Sequence, residues 1–554
     1  MNSPPSLTLA GFHGRVDDRL RDWQARAFAR RLWEQDPTLW SPEPVAEITD
    51  RLGWLHLPET MPAQVDEVTI FAREVRAAGM GHVALLGMGG SSLAPEVFQR
   101  TFGNAPGYPE LVVLDSTHPA AVRAAETALD LSHTLFVVSS KSGTTTETLS
   151  LFRYFWQRVA AVSRQPGAQF VAITDPGTPL ERLAAGRAFR RCWLAHPDVG
   201  GRYSALTVFG LVPAALIGVD VRRLLDRAKA MAEACGPSVA AEDNPGLLLG
   251  AAIAEAGLAG RDKLTMVTSS ALASLPSWIE QLVAESTGKD GQGIVPVCDE
   301  MLSVPDRYGG DRFFVYIRMR GDDSRELDRT MMALESLGHP VVRIEIAEPA
   351  DLAAEFFRWE VAVAAACSVL DIHPFNQPDV QLAKDLATRA MDAGGAVAGA
   401  PSVEHPEASS QDLDALARAL DTWMAGVRQG DYVAVQAYLA PTTETASALQ
   451  QIRDGIGGRR CVATTLGYGP RFLHSTGQLH KGGPGSGVFL QLVDDPDAAG
   501  DLPVPETRYT FGALIHAQAR GDFLALHQRG RRVLRVDLGA DARIGLQRLV
   551  QALG

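Results

Sequence analysis

The sequence predicts an α/β fold in which parallel sheets are covered by helices on both faces, a doubly wound αβα sandwich. The first observation is that short, uninterrupted apolar runs such as HVALLGM and TLFVVSS alternate with helical stretches. Buried parallel strands have this pattern. The second is that these runs end in small polar residues: GGSS, DSTH, SSKSGTTTET and TDPGT. Ligands of such sheets bind beyond the carboxyl ends of the strands.

The pattern divides the chain into three parts. Residues 1–75 are predicted to be a helical covering segment, without chemistry of its own. A first unit at 76–240 contains the strands HVALLGM, ELVVLDS, TLFVVSS and QFVAITD. A second unit at 245–554 begins with the strands KLTMVTS, FFVYIRM and VVRIEIA. The strand-like runs CVATTL and GVFLQLV are expected to complete that second unit as a C-terminal extension.

Two stretches are assigned by composition. Residues 399–412 are rich in Pro, Ser and Glu and are predicted to be an exposed linker. The apolar stretch at 205–219 contains Pro213 and is shorter than the ~20 residues that span a bilayer. A buried helix is therefore the better interpretation of it.

Charge and cysteine content narrow the class of protein. The 554 residues carry 52 Lys and Arg against 65 Asp and Glu, which gives a net charge of −13. This acidic balance argues against nucleic acid as a partner. The five cysteines are scattered singly, as expected of reduced thiols. The start of the sequence lacks the pattern of a signal peptide, so we expect a cytoplasmic protein with no membrane partner.

The richest local signal is SSKSGTTTET at residues 139–148, between a predicted strand and a predicted helix. Hydroxyl groups and free amides at a helix N-terminus bind anions, and the helix dipole strengthens the attraction. An N-cap alone needs a single hydroxyl, so phosphate binding is the preferred interpretation. The earlier turn GMGGSS allows close backbone approach to a ligand. It is neither GxGxxG nor a P-loop, which argues against a dinucleotide or ATP site.

Two further segments contain candidate acid–base residues. WIEQLVAESTGK reads as a helix ending at Gly288, with Gln281 and Glu285 one turn apart on one face. The negative end of the helix dipole raises the pKa of a carboxyl group and suits a base, although position alone favours a solvated glutamate. Arg202 follows two glycines and precedes the apolar stretch. Its expected anionic partner is either a structural carboxylate or a developing oxyanion.

At these residues the sequence resembles a known family. The segments GMGGSSLAPE, SSKSGTTTET, VGGRYSAL and QLVAESTGKDGQG are similar, in this order, to signature segments of glucose-6-phosphate isomerases. HPFNQPDVQLAKDLA is similar to the closing motif of that family. The resemblance covers most of 80–390 and implies two sugar-isomerase (SIS) domains. The C-terminal part, with LHSTGQLHKGGPGSGVFLQ, looks most like the isomerase half of bifunctional transaldolase/glucose-6-phosphate isomerases.

The resemblance implies a role for each matching residue. Glu285 would be the base of an aldose–ketose isomerisation in glycolysis and gluconeogenesis, and Arg202 would stabilise the cis-enediolate. The residues implied to bind phosphate are Ser140, Lys141, Ser142, Thr145 and Thr148. Those implied to contact the sugar are Gly90, Ser91, Gln281 and Gln377, with Lys384 assisting ring opening. The resemblance implies a sugar phosphate as substrate, with no cofactor and no metal. It also implies a homodimer, the oligomeric state typical of the family.

One departure concerns the ring-opening histidine. The family places it between the glutamate and lysine motifs, where this chain has His339 and His373 in other contexts. The fitting context, LHSTGQ, lies after Lys384 and contains His474. We therefore assign the role to His474, with His480 as the alternative. A loop can enter a site from either chain direction and keep its role.

Three rival functions are weighed against the isomerase. A SIS-type sugar-phosphate sensor would share the phosphate loop but usually carries a DNA-binding helix-turn-helix, which residues 1–75 do not suggest. A glutamine amidotransferase needs an N-terminal nucleophilic cysteine, whereas the first cysteine here is Cys192. An isomerase that also accepts mannose 6-phosphate stays open.

Overall fold

A computed structural model describes residues 4–392, 407–495 and 500–553. Within these ranges the chain forms three five-stranded sheets, each predominantly parallel and accompanied by helices. The predicted α/β class with parallel sheets is therefore confirmed. Across the same residues, no helix combines the length and the apolar character needed to cross a membrane.

The N-terminal region is mainly helical, with one unpredicted strand. Strand β1 (Ser6–Thr8) pairs antiparallel with residues 341–343 of the second sheet. The helices are α1 (His13–Ala25), α2 (Phe28–Trp33), α3 (Leu57–Thr60) and α4 (Val65–Ala77). The expectation of a purely helical segment at 1–75 is thus wrong at its start, because three residues are too few to show a strand period in the sequence.

The first sheet has the order β3-β2-β4-β5-β6 and is wholly parallel. Its strands are β2 (His82–Gly87), β3 (Glu110–Leu114), β4 (Thr134–Ser139), β5 (Phe170–Thr174) and β6 (Arg191–Leu194), and its helices are α5 (Leu93–Phe102), α6 (Pro119–Ala128), α7 (Thr146–Val162) and α8 (Pro179–Gly186). Along β4, Leu135 and Val137 join one hydrophobic core while Phe136 and Val138 join another. Both faces of the sheet are therefore covered, which explains the uninterrupted apolar runs.

Three helices lead from the first sheet to the second: α9 (Val208–Leu216), α10 (Val221–Ala234) and α11 (Pro245–Leu258). All nine residues of α9 are buried, with Pro213 inside the helix. The apolar stretch at 205–219 thus forms the buried helix predicted for it.

The second sheet has the order β1-β10-β9-β7-β8. Its elements are β7 (Lys263–Thr268), α12 (Leu275–Thr287), β8 (Val295–Val297), β9 (Arg312–Met319), α13 (Arg325–Ser336), β10 (Val341–Ile346) and α14 (Leu352–Leu370), followed by α15 (Val380–Asp392). One hydrophobic core contains residues of both the first and second sheets together with α11 and α14. The two sheets therefore meet through a shared helical layer.

The C-terminal part forms a sheet of its own, ordered β11-β15-β14-β12-β13 and parallel throughout. Its elements are β11 (Glu407–Ser409), α16 (Leu413–Ala425), β12 (Tyr432–Tyr438), α17 (Thr443–Arg460), β13 (Ala463–Tyr468), α18 (Gly477–Gly482), β14 (Gly487–Val493), α19 (Phe511–Gln528), β15 (Arg532–Asp537) and α20 (Ala542–Leu553). CVATTL and GVFLQLV thus form strands β13 and β14 of a separate sheet, and their assignment to the second unit stays a prediction. The unit boundaries at 76–240 and 245–554 stay a prediction.

The predicted linker at 399–412 lies only partly within the described residues. Residues 399–406 lie outside the described residues, and Glu407–Ser409 forms the edge strand of the third sheet. That strand pairs with residues 535–537, so the last part of the predicted linker belongs to a sheet.

The third sheet packs against the second through helices of both. Ala284 of α12 and Val295 of β8 share a core with Tyr432, Phe489 and Phe523. Where these elements meet, Lys481 of α18 and Asp522 of α19 form an ion pair at 2.5 Å. The exposed fractions of their side chains are 1% and 0%. Desolvation of both charges must be offset by their mutual attraction.

Asp522→Asn should destabilise the protein, because it leaves the buried ammonium of Lys481 without its counter-charge. Breaking a buried ion pair in this way costs about 3–5 kcal/mol. The measurement is the midpoint of thermal unfolding. As the control, Asp541→Asn removes an exposed partner of Arg543, where the cost should stay below about 1 kcal/mol. Equal midpoints for the two variants would contradict the expected role of the pair.

Candidate active site

The candidate site begins at the carboxyl ends of strands β2 and β4, as the sequence predicts. The segment 140–145 follows β4, and helix α7 begins at Thr146 with Thr145 as its N-cap. The hydroxyls of Ser140 and Thr145 are 2.8 Å apart, and those of Ser142 and Thr144 are 2.9 Å apart. This cluster of hydroxyls at a helix N-terminus has the arrangement that binds anions.

Two of the predicted phosphate ligands, Lys141 and Thr148, lie in surroundings unlike those of the hydroxyl cluster. Lys141 donates to the Asp175 carboxylate and, at 3.4 Å, to the carbonyl of Pro197. Burial lowers the pKa of Lys141, and the Asp175 carboxylate opposes this effect. Thr148 is fully buried, and its hydroxyl has no hydrogen-bond partner among the described residues. Their roles in phosphate binding stay a prediction.

A cavity of about 320 Å³ opens beside this loop. Its polar lining includes Ser142, Thr144, Thr145, Thr146, Glu147, Lys384, His474, Lys481 and Gln518. The loop of the first sheet, helix α15 and two segments of the third sheet therefore face one space. The cavity combines hydroxyl, ammonium, carboxyl and imidazole groups.

Glu285 lies on α12, which ends at Thr287 and has the predicted Gly288 as its C-cap. The residue is 4% exposed. Its Oε2 accepts a hydrogen bond from Nη1 of Arg202 at 3.2 Å, and its Oε1 accepts one from Nε2 of Gln281 at 3.3 Å. Burial raises the pKa of Glu285, while the Arg202 guanidinium opposes this rise. The result is a buried carboxyl group with the character of a base.

Arg202 is also buried, and its other donors are held by the protein. Nε donates to the hydroxyl of Ser286 at 2.8 Å, and Nη2 donates to the carbonyls of Pro374 and Asn376. Of the two partners that the sequence left open, the structure provides the carboxylate, which is Glu285. The guanidinium is therefore fixed beside the candidate base.

The glycine turn after β2 completes this part of the site. A Cβ atom on Gly90 would lie 2.1 Å from the carbonyl oxygen of Gly201, so the two turns can approach only without a side chain there. A Cβ atom on Gly89 would lie 2.7 Å from the carbonyl oxygen of His474. Ser91 is buried in the same turn. The glycines thus bring the first sheet into contact with both Arg202 and His474.

His474 reaches the site from the third sheet, after strand β13. Its Nε2 is 3.0 Å from Oε1 of Glu147, and its carbonyl accepts a hydrogen bond from Nε2 of Gln281 at 2.8 Å. The neighbouring Arg471 pairs with Glu96 and, at 2.9 Å, with Asp115. The segment is therefore held by residues of the first and second sheets.

The other histidine considered from the sequence has different surroundings. His480 is buried, and its Nδ1 is 3.2 Å from Nε2 of Gln436. Burial lowers the pKa of His480 well below its ordinary value. His474 lines the cavity and His480 is not among its lining residues. The geometry thus favours His474 for proton transfer to a ligand.

Lys384 and Gln377 come from the segment at the end of the second sheet. Lys384 is exposed on α15 and lines the cavity. Gln377 is exposed and is not among the cavity-lining residues. The structure therefore brings Lys384 to the phosphate loop, His474 and Glu147, whereas the contact of Gln377 with the sugar stays a prediction.

Sequence reasoning missed two ionisable residues at the site. Glu147 is buried in the first turn of α7. Burial, the largest single effect, opposes its ionisation, but His474, a backbone hydrogen bond and Lys384 together lower the pKa of Glu147. Lys289 donates to the carbonyls of Glu285 and Asn376, both at 3.0 Å. Burial lowers the pKa of Lys289 to about 7. Both residues lie inside the motifs SSKSGTTTET and QLVAESTGK, which was the available signal.

Comparison with known proteins shows similarity to phosphoglucose isomerases, also called glucose-6-phosphate isomerases. The family model described as phosphoglucose isomerase matches residues 71–296. A probable glucose-6-phosphate isomerase of Haloarcula marismortui is 29% identical over 370 residues, covering 60% of this chain and 82% of the relative. A glucose-6-phosphate isomerase of Rubrobacter xylanophilus is 28% identical over 399 residues, covering 63% of this chain and 91% of the relative.

Solved structures support the fold. A hypothetical protein of Thermus thermophilus aligns with a TM-score of 0.60 and 24% identity, covering 70% of this chain and 99% of that one. A glucose-6-phosphate isomerase of Chlamydia trachomatis aligns with a TM-score of 0.57 and 18% identity, covering 72% of this chain and 94% of that one. The match to the family model ends at residue 296, after Glu285 and before Lys384 and His474. In sequence, the chain is thus similar to phosphoglucose isomerases, and its match to the family model spans residues 71–296.

Proposed function

We propose that the protein interconverts glucose 6-phosphate and fructose 6-phosphate. The observation that carries this proposal is the buried pair of Glu285 and Arg202, 3.2 Å apart. Gln281 links this pair to the His474 segment, and His474 contacts Glu147 at the start of the phosphate-loop helix. A base, a cation and an anion-binding loop are therefore parts of one connected site.

The reaction moves a proton between C2 and C1 of the open-chain sugar. Glu285 removes the proton from one carbon and returns it to the other through a cis-enediol intermediate. Its raised pKa brings the carboxyl group nearer to the strength that suits a general base at neutral pH. Arg202, which is always protonated, stabilises the negative charge that develops on the enediolate oxygens.

Ring opening precedes this step and needs a second pair of groups. Because the Glu147 carboxylate can only accept, Nε2 of His474 carries the proton of their hydrogen bond. Nδ1 is then available to exchange a proton with the ring oxygen or O1. Lys384, which lines the same cavity as His474, assists this transfer. The hydroxyl cluster at the start of α7 binds the phosphate and contributes binding energy remote from the reacting carbons.

The buried pair of Glu285 and Arg202 also favours the isomerase over a rival function. A sugar-phosphate sensor needs a phosphate loop but has no use for a buried Glu–Arg pair beside it. Acceptance of mannose 6-phosphate is tested by coupled assays that start from fructose 6-phosphate and detect each aldose phosphate. Cytoplasmic residence, a homodimer and the likeness to bifunctional enzymes stay predictions from the sequence.

Glu285→Gln should lower kcat by about 10³-fold or more, because the amide cannot accept the C2 proton. Binding of the sugar phosphate should stay near wild type, since the phosphate loop is untouched. The measurements are kcat with fructose 6-phosphate and binding by calorimetry. Glu326→Gln, at an exposed position on α13, is the matched control and should be fully active. Activity of Glu285→Gln within tenfold of wild type would refute the assignment.

The pH dependence should report the ionisation of Glu285. The base acts when deprotonated, so kcat/KM falls as the pH drops through its raised pKa, above the ordinary glutamate value of about 4.3. Arg202→Met removes the charge that opposes this rise. The acidic limb of the pH profile should therefore move to higher pH, and kcat should fall. Arg325→Met, at an exposed position, should leave the limb in place. A limb that moves to lower pH in Arg202→Met would exclude Glu285 as the titrating base.

The phosphate loop can be tested separately from the chemistry. The double variant Ser142→Ala/Thr145→Val should raise KM for fructose 6-phosphate about tenfold or more, because hydrogen bonds to a charged group are lost. Inhibition by inorganic phosphate should weaken in parallel. Ser163→Ala, beyond the other end of the same helix, is the control. An unchanged phosphate inhibition constant would show that the anion binds elsewhere.

A further inference from the structure

Helix α19 of the third sheet reaches into the site through Gln518. Nε2 of Gln518 lies 2.7 Å from Oε1 of Glu147. On its other side, Oε1 of Gln518 lies 3.0 Å from the hydroxyl of Thr117, which follows strand β3. Gln518 is 7% exposed and Thr117 is 0% exposed. The amide is thus held between two partners in the interior.

The direction of each hydrogen bond follows from the chemistry of the groups. An ionised carboxylate has no proton to donate, so the amide nitrogen of Gln518 faces Glu147. The amide oxygen must then accept from the Thr117 hydroxyl. The same Oε1 of Glu147 accepts from Nε2 of His474 at 3.0 Å. Thr117, Gln518, Glu147 and His474 therefore form one chain of hydrogen bonds, each with a defined donor.

These hydrogen bonds stabilise the charged form of the buried Glu147 carboxylate. The carboxylate is 6% exposed, and burial by itself would favour its protonated form. Donors directed at the charged form counteract that effect. A protonated Glu147 would no longer fix the proton of His474 on Nε2. The Gln518 amide thus affects the imidazole without touching it.

We propose that Gln518, oriented by Thr117, is a positioning residue that keeps Glu147 ionised and thereby fixes the tautomer of His474 for ring opening. The inference rests on the isomerase function proposed above. Gln518 and His474 both lie beyond residue 296, where the match to the family model ends. The third sheet then supplies the ring-opening histidine as well as the residue that supports its partner.

The first test is Gln518→Met, which keeps the length of the side chain and removes both the donor and the acceptor. We expect kcat for fructose 6-phosphate to fall about tenfold, the effect of losing one hydrogen bond to a charged group. KM should stay near wild type, because the phosphate-loop hydroxyls are intact. Gln528→Met, an exposed glutamine on the same helix, is the matched control and should retain full activity. Thermal unfolding of each variant checks that it is folded.

The second test is a double-mutant cycle with Glu147→Gln, which alone should lower kcat about 100-fold. If Gln518 acts through Glu147, adding Gln518→Met should lower kcat no further than about twofold. A further tenfold loss in the double variant would mean that Gln518 acts on the substrate or on another group. That result would overturn the proposal.

Thr117 offers a test that leaves Gln518 in place. Thr117→Val removes the hydroxyl at nearly constant volume and frees the amide to rotate, so kcat should fall. Thr117→Ser restores the hydroxyl and should recover most of the activity. Equal activity of the two variants would overturn the proposed orientation, and this pair decides the question should Gln518→Met fail to fold. A wild-type protein without isomerase activity would refute the proposed function itself, whereas an active wild type with a fully active Gln518→Met would refute only the positioning role.

Discussion

The buried pair of Glu285 and Arg202 is the interaction on which the rest of the site depends. Two charges removed from water are costly, and their attraction offsets this only when further hydrogen bonds satisfy the remaining donors and acceptors. Arg202 meets that condition through Ser286 and the carbonyls of Pro374 and Asn376. Gln281 supplies the second bond to Glu285. Helix α12 and the segment 374–376 are thus fixed around the pair.

The same constraint explains why three sheets meet at one place. Gln281 donates both to Glu285 and to the carbonyl of His474, so helix α12 beside the second sheet is tied to a segment of the third. His474 in turn contacts Glu147 at the start of α7, in the first sheet. Glu285, His474 and Glu147 thus lie in segments that belong to the second, third and first sheets. The site therefore forms only when all three are packed together.

Much of the fold could be predicted from the sequence, because strands covered on both faces appear as continuous apolar runs. HVALLGM, TLFVVSS and QFVAITD are strands β2, β4 and β5. The separate C-terminal sheet could not be predicted in this way. Its runs CVATTL and GVFLQLV have the correct pattern, but a pattern does not say which strands become neighbours. That depends on the pairing of β13 and β14 with β12, which no local residue pattern indicates.

The residues of the candidate site likewise differ in whether the sequence indicates them. Glu285 and Arg202 lie in segments whose residue types indicate their chemistry, and the structure places them together. Glu147 and Gln518 are 371 positions apart, and nothing local to either residue indicates their contact.

The place of His474 in the site depends on the contacts that hold its segment more than on its position in the sequence. The pairing of Arg471 with Glu96 and Asp115 fixes its segment against the first sheet. A side chain that is held at the required position can serve the same chemistry from whichever strand it follows.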